Sequence, residues 1–163
     1  MTATPPGQLS HVGPDGSARM VNVGNKPETD RMARATGHIT MSAATLNAIV
    51  GNTIAKGDVL GVARVAGIMA AKRTATLIPL CHPLQLTDVS VALVTDSALP
   101  GVRVEATVRS VGRTGVEMEA LAAATIALLT VYDMAKAMDK SMVIKEISLA
   151  EKSGGAGGPY ARG

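Results

Sequence analysis

Hydrophobic and polar positions alternate most regularly over residues 102–111, VRVEATVRSV, where Val102, Val104, Ala106 and Val108 point one way and Arg103, Glu105, Thr107 and Arg109 the other. Period-two alternation marks a strand with one buried face. Residues 88–95, DVSVALVT, set Val89, Val91 and Leu93 on one face in the same way, and SALPG between the two segments predicts a hairpin loop. The pattern changes over residues 119–140, EALAAATIALLTVYDMAKAMDK, which are rich in Ala and Leu and apolar on nearly all sides from Ala120 to Tyr132. A helix apolar all round is buried, here between a sheet and a further layer such as a second subunit. RMVNV (19–23), GHITM (37–41) and MVIKEISL (142–149) predict shorter strands. Ser42 is placed to cap a helix running to about Val50, and Asp58 to cap VLGVARVAGIMAAKR (59–73), which ends in the cations Lys72 and Arg73. Gly61 and Gly67 weaken that second helix, so close packing against a neighbour is expected there. Strand pairs with segregated helices predict an α+β protein with no internal repeat.

Composition narrows this picture. The chain has 163 residues, enough for one core. We expect a flexible N-terminal tail (1–18), one α+β domain (19–152) and a flexible Gly-rich C-terminal tail (153–163). Two Tyr, no Phe and no Trp leave the core to Val, Ile, Leu, Ala and nine Met, so elements can approach closely. With 16 Lys and Arg against 13 Asp and Glu, the charge is too weakly basic to indicate nucleic acid, and base-stacking aromatics are nearly absent. A local cationic pocket for a small polyanion fits better. One cysteine permits no intrachain disulfide and favours a reducing compartment. MTATPPGQLS carries no apolar leader core, and no stretch reads as a membrane span, so a cytoplasmic protein without membrane partners is expected.

Three places could carry chemistry. Asp133 and Lys136 in YDMAK are three apart and share a helix face, either as an acid/base pair at the end of a buried stretch or as an ordinary ion pair. In GVEMEA (115–120), Glu117 and Glu119 face the same way if extended and diverge if helical, and either can simply favour a helix N-terminus. On one continuous helix Glu119 and Asp133 would lie about 21 Å apart, beyond the reach of one small ligand. Either one end alone is functional, or the site lies between chains. LIPLCHP (77–83) sets the only cysteine beside a histidine, between two prolines. Adjacent Cys81 and His82 are poorly placed to share a metal or act as a nucleophilic dyad, and no second Cys/His pair completes a zinc site, so neither metal nor cofactor is expected. His82 remains a proton donor, an anion contact or a structural histidine. Lys56 in KGD and Lys26, Arg31, Arg34, Lys72, Arg73 and Lys152 are further cations near element ends. KSGG lacks a following helix and is no Walker motif, although Gly154 and Gly155 let backbone approach a phosphate.

KGDVLGVARVAGIMAAKRTATLIPLCHPL, GVEMEALAAATIALLTVYDMAKAMDKSMVI, EKSGG and MVNVGNKPETDRMARATG together resemble the MoaC family of molybdenum-cofactor biosynthesis, from about Met20 to Gly155. The resemblance implies a catalytic domain of ferredoxin-like fold, an antiparallel sheet with helices packed on one face. It also implies a homohexamer, a trimer of dimers with active sites at subunit interfaces. The implied reaction converts the GTP-derived 3′,8-cyclo-7,8-dihydro-GTP into cyclic pyranopterin monophosphate with release of pyrophosphate. Carried over by motif, Asp133, Lys136 and Lys56 are catalytic, with one lysine expected to have a lowered pKa. Leu80, Cys81, His82, Met118, Glu119 and Glu117 match substrate-contacting segments, and Arg31, Lys72 and Lys152 match pocket cations. The sequence departs from the family pattern at Asn22 (MVNV for MVDV), Ala135 (YDMAK for YDMCK) and VIKEI (for VIGDI). The first of these removes a carboxylate. A nucleotide-binding oligomer without activity is the competing class, and a DNA-binding protein a third.

Overall fold

The computed structural model describes residues 15–163. Most of the expected N-terminal tail lies outside them. The elements run β1 (Thr29–Thr40), α1 (Ala43–Val50), α2 (Val59–Leu77), β2 (Leu86–Asp96), β3 (Gly101–Gly112), α3 (Glu117–Ala135), β4 (Val143–Ser153) and β5 (Tyr160–Ala161). The sheet is antiparallel, with strand order β2-β3-β1-β4-β5. Two strand–helix–strand crossovers interleaved in this order give an α+β, ferredoxin-like fold.

Register explains how a core without Phe or Trp closes. Val89, Val108 and Ala33 form one row across β2, β3 and β1; Val91, Ala106 and Ala35 form the next; Leu93, Val104 and Gly37 form a third. The middle row is nearly all small, so α3 settles low on the sheet with Ala120, Ala123, Ala124, Ala127, Leu128 and Val131 buried. A Cβ on Gly37 would lie 3.3 Å from Leu128 Cδ1 and 3.0 Å from Ile147 Cγ1. On α2, a Cβ on Gly67 would lie 2.9 Å from the Ala123 carbonyl, so this glycine sets the α2–α3 spacing as expected. Gly61 has a different reason: its space is filled by the Asp58 carboxylate, which caps α2 by accepting from Gly61 N–H at 2.9 Å. Ser42 caps α1 by accepting from Thr45 N–H.

The structure corrects four expectations. RMVNV is not a strand; residues 19–23 run without sheet partners. GHITM is only the end of a 12-residue strand. The second helix does not stop at Lys72–Arg73 but continues to Leu77, because Pro79 forces Ile78 into the extended region and ends the helix there. The apolar stretch of α3 is half buried within the fold, in keeping with the buried helix its composition predicts. The tail expected at 153–163 contains β5, whose Tyr160 and Ala161 pair with Lys152 and Glu151.

Candidate active site

α3 begins and ends at two clusters of polar residues. At its N-terminal end lies a cavity of about 440 Å³, lined by the segment 21–26, the loop after α2, the start of α3 and the end of β4. The loop takes its shape from the prolines and a turn in which Cys81 N–H donates to the Ile78 carbonyl at 3.1 Å. Leu80, Cys81 and His82 therefore line the cavity opposite Glu117, Met118, Glu119 and Lys152. His82 Nε2 lies 2.8 Å from the Val21 carbonyl. A carbonyl only accepts, so Nε2 carries the hydrogen and Nδ1 is left for other partners. This bond holds the 21–26 segment on the cavity wall, as does Arg113, whose Nη1 donates to the Gly24 carbonyl at 2.8 Å.

The two glutamates diverge because α3 starts at Glu117. Burial pushes the Glu117 carboxyl up, but a 2.8 Å bond from Lys152 Nζ and the charges of Lys152 and Arg31 carry it below the ordinary value. Glu119 is only 4% exposed, and burial, with Glu117 nearby, raises its pKa above the ordinary value. Burial and the charge of Glu119 also raise the Cys81 thiol, the opposite of what a thiolate nucleophile needs.

At the C-terminal end of α3, Asp133 sits between two ammonium groups. Lys136 Nζ is 2.7 Å from Oδ1 and Lys56 Nζ is 2.8 Å from Oδ2. Lys56 also donates to the Asp133 backbone carbonyl at 3.0 Å, satisfying one of the unpaired carbonyls of the helix end. Hydrogen bonds from Lys136 and then Lys56 hold the Asp133 carboxyl at about 2, and Asp133 in turn raises Lys136. The expected lowered lysine is therefore not Lys136 in this subunit. Because the Asp133 pKa is depressed, whatever stability the pair contributes is present above the ordinary carboxylate range and fades as pH falls from about 4 towards 2.

Asp133, Lys136 and Lys56 thus come together, although Lys56 is 77 residues away in sequence. Leu80, Cys81, His82, Glu117, Met118, Glu119 and Lys152 form the second group, and Arg31 joins it beside Glu117 and Lys152 in an adjoining cavity of about 70 Å³. Lys72 joins neither; it is exposed on α2. The Val21 carbonyl and Thr114 on the cavity wall escaped the sequence reading, since a backbone oxygen carries no residue-type pattern and Thr114 belongs to no motif. The missing carboxylate at Asn22 changes little locally, because Asn22 Oδ1 accepts from Gly24 N–H at 2.8 Å as an aspartate oxygen would.

The fold and site define a small α+β protein of ferredoxin-like topology, with a cation-rimmed cavity at one end of α3 and an Asp–Lys–Lys cluster at the other. Residues 20–155 match the MoaC family model. A Brucella ovis protein named cyclic pyranopterin monophosphate synthase is 57% identical over 155 residues, covering 95% of this chain and 94% of the relative. Proteins of that name from Brucella abortus and Brucella canis are 57% and 56% identical over the same length. The chain belongs to the MoaC family.

Proposed function

We propose that the chain is a cyclic pyranopterin monophosphate synthase of molybdenum cofactor biosynthesis, converting 3′,8-cyclo-7,8-dihydro-GTP into cyclic pyranopterin monophosphate and pyrophosphate, a phosphorus–oxygen lyase reaction. The observation that carries this reading is 57% identity to synthases of that name across 95% of the chain. The working form is a cytoplasmic homohexamer, a trimer of dimers.

The reaction has two parts. The purine five-membered ring opens and rearranges through several proton transfers, and a ribose-derived hydroxyl attacks the α-phosphorus as pyrophosphate leaves. Lys136, raised by Asp133, starts as an ammonium and therefore as a proton donor; it becomes a base only after giving up that proton. Asp133 is the carboxylate that holds both lysines in place. Glu119, buried on the cavity wall, is a second carboxyl group placed to exchange protons there. Arg31 and Lys152 supply positive charge for the departing pyrophosphate, as phosphoryl transfer requires. Lys72, outside both clusters, reaches a substrate only if it belongs to the site of a neighbouring subunit.

Incubation with the cyclic dihydro-GTP should yield the cyclic monophosphate by mass spectrometry and stoichiometric pyrophosphate. Substrate returned unchanged would instead favour a nucleotide-binding oligomer without activity. Within the cavity, His82→Ala should lose most activity, roughly a hundredfold, because it removes both a ring nitrogen and the tie to Val21. Cys81→Ser should stay within about tenfold of wild type, since its thiol is held protonated. A Cys81→Ser enzyme as dead as His82→Ala in the same steady-state assay would point to covalent chemistry at sulfur.

A further inference from the structure

The loop after β4 turns back through Gly154, Gly155 and Gly158, with φ of +91°, +79° and +69°. The three serve different ends. Gly154 packs against the Asp30 carbonyl. Gly158 closes a turn by donating to the Gly155 carbonyl at 3.2 Å, and a Cβ on it would meet nothing within 4 Å. At Gly155, a Cβ would run directly into the Arg31 guanidinium, at Nη1 and Cζ.

Arg31 is fixed from the other side as well. It projects from β1, where it pairs with Ser110, and its Nε donates to the Gly112 carbonyl at 3.2 Å. The planar fork is thus held between a carbonyl at the end of β3 and the bare Cα of Gly155. Among the described residues, the Nε bond is the only side-chain hydrogen bond of Arg31, so both Nη nitrogens keep donors for a ligand. Arg31 walls two small cavities. One, of about 70 Å³, shares Gly115, Glu117 and Lys152 with the main cavity; the other, of about 280 Å³, includes Lys26 and Gly155.

We propose that Gly155 is a positioning residue that, by lacking a side chain, seats the Arg31 guanidinium for pyrophosphate, the leaving group of the proposed reaction. A diphosphate needs several donors on adjacent phosphoryl groups. A guanidinium locked at Nε and open at both Nη atoms presents such donors as a fork, and Lys152 and Lys26 add point charges nearby. A side chain at residue 155 would push the fork off this line without removing its charge.

The test is a double-mutant cycle on the intact oligomer, read by calorimetric binding of inorganic pyrophosphate and by the KM and kcat of turnover. Gly155→Ala and Arg31→Ala should each weaken pyrophosphate binding roughly tenfold, the effect of losing one charge-assisted contact. The double variant should bind no more weakly than Arg31→Ala alone, because Gly155 acts only through Arg31. Gly155→Ala should lower kcat by a similar factor, because the charge that Arg31 stabilises develops as pyrophosphate leaves. Gly158→Ala shares the left-handed backbone strain without the contact, and should bind pyrophosphate within about twofold of wild type. Additive losses in the double variant, wild-type binding by Gly155→Ala, or an equal loss in Gly158→Ala would each overturn the proposal. If Gly155→Ala does not fold, folding regained in the Arg31→Ala background supports the contact, and failure in both backgrounds assigns Gly155 to folding alone and overturns it. Because pyrophosphate binding is read directly, this outcome stays separate from the proposed synthase activity, which fails if the wild type leaves the cyclic dihydro-GTP unchanged.

Discussion

Asp133→Asn and Lys136→Ala are each expected to cut turnover by roughly a thousandfold while leaving the protein folded. Asparagine keeps the shape of the aspartate and loses its charge. Lys56 and Lys136, now 2.8 Å and 2.7 Å from the two carboxylate oxygens, would then face each other across a neutral amide and repel. Their positions and proton affinities would shift together. Lys136→Ala removes the proposed proton donor outright and leaves Asp133 with Lys56 alone. Both side chains are about half exposed at the helix end, so neither change opens a core cavity, and folding should survive. Steady-state turnover with the cyclic dihydro-GTP, alongside circular dichroism and sedimentation, checks this. Turnover near wild type in either variant would return the cluster to the status of a surface ion pair.

The second large effect is a recovery. Glu119 lies in the first turn of α3 and Asp133 near its last, on one unbroken helix. At 1.5 Å rise per residue they are about 21 Å apart, so one small ligand cannot touch both within a chain. If both ends serve one substrate, the site joins the start of one α3 to the end of another. Glu119→Ala and Asp133→Asn homo-oligomers should each be inactive. Dissociated, mixed equally and reassembled, they should regain roughly a quarter of wild-type activity, since half the pairs are mixed and each mixed pair holds one intact site of two. Mixed oligomers, verified by mass, that stay as inactive as the parents would exclude a shared site for these two residues.

Local physics was legible in the sequence and long-range contact was not. The alternation in β2 and β3 and the caps at Ser42 and Asp58 read correctly because each depends on neighbours within a few residues. Asp133 and Lys136 share a face for the same reason. RMVNV misled because its valines suit a strand, yet its Val21 carbonyl is taken by His82, not by a sheet neighbour. The end of α2 misled because cations were taken as its stop when the proline two residues past the helix decides it. Glycine density hid β5, which needs only two paired residues. At the candidate site, the motifs supplied residue types, but neither the Lys56–Asp133 contact nor the distance of Lys72 from both clusters can be read from spacing, because each depends on how α1, α2 and α3 pack.

The length of α3 has a consequence for counting. A rigid helix that keeps its two polar ends apart makes every subunit a donor to two different sites on the proposed assembly, one through each end. No subunit then owns a site. In oligomers assembled from wild-type chains and chains defective at both ends, a site survives only when both contributing chains are wild type. Activity would therefore fall as the square of the wild-type fraction, and a cell carrying equal amounts of the two chains would keep about one site in four.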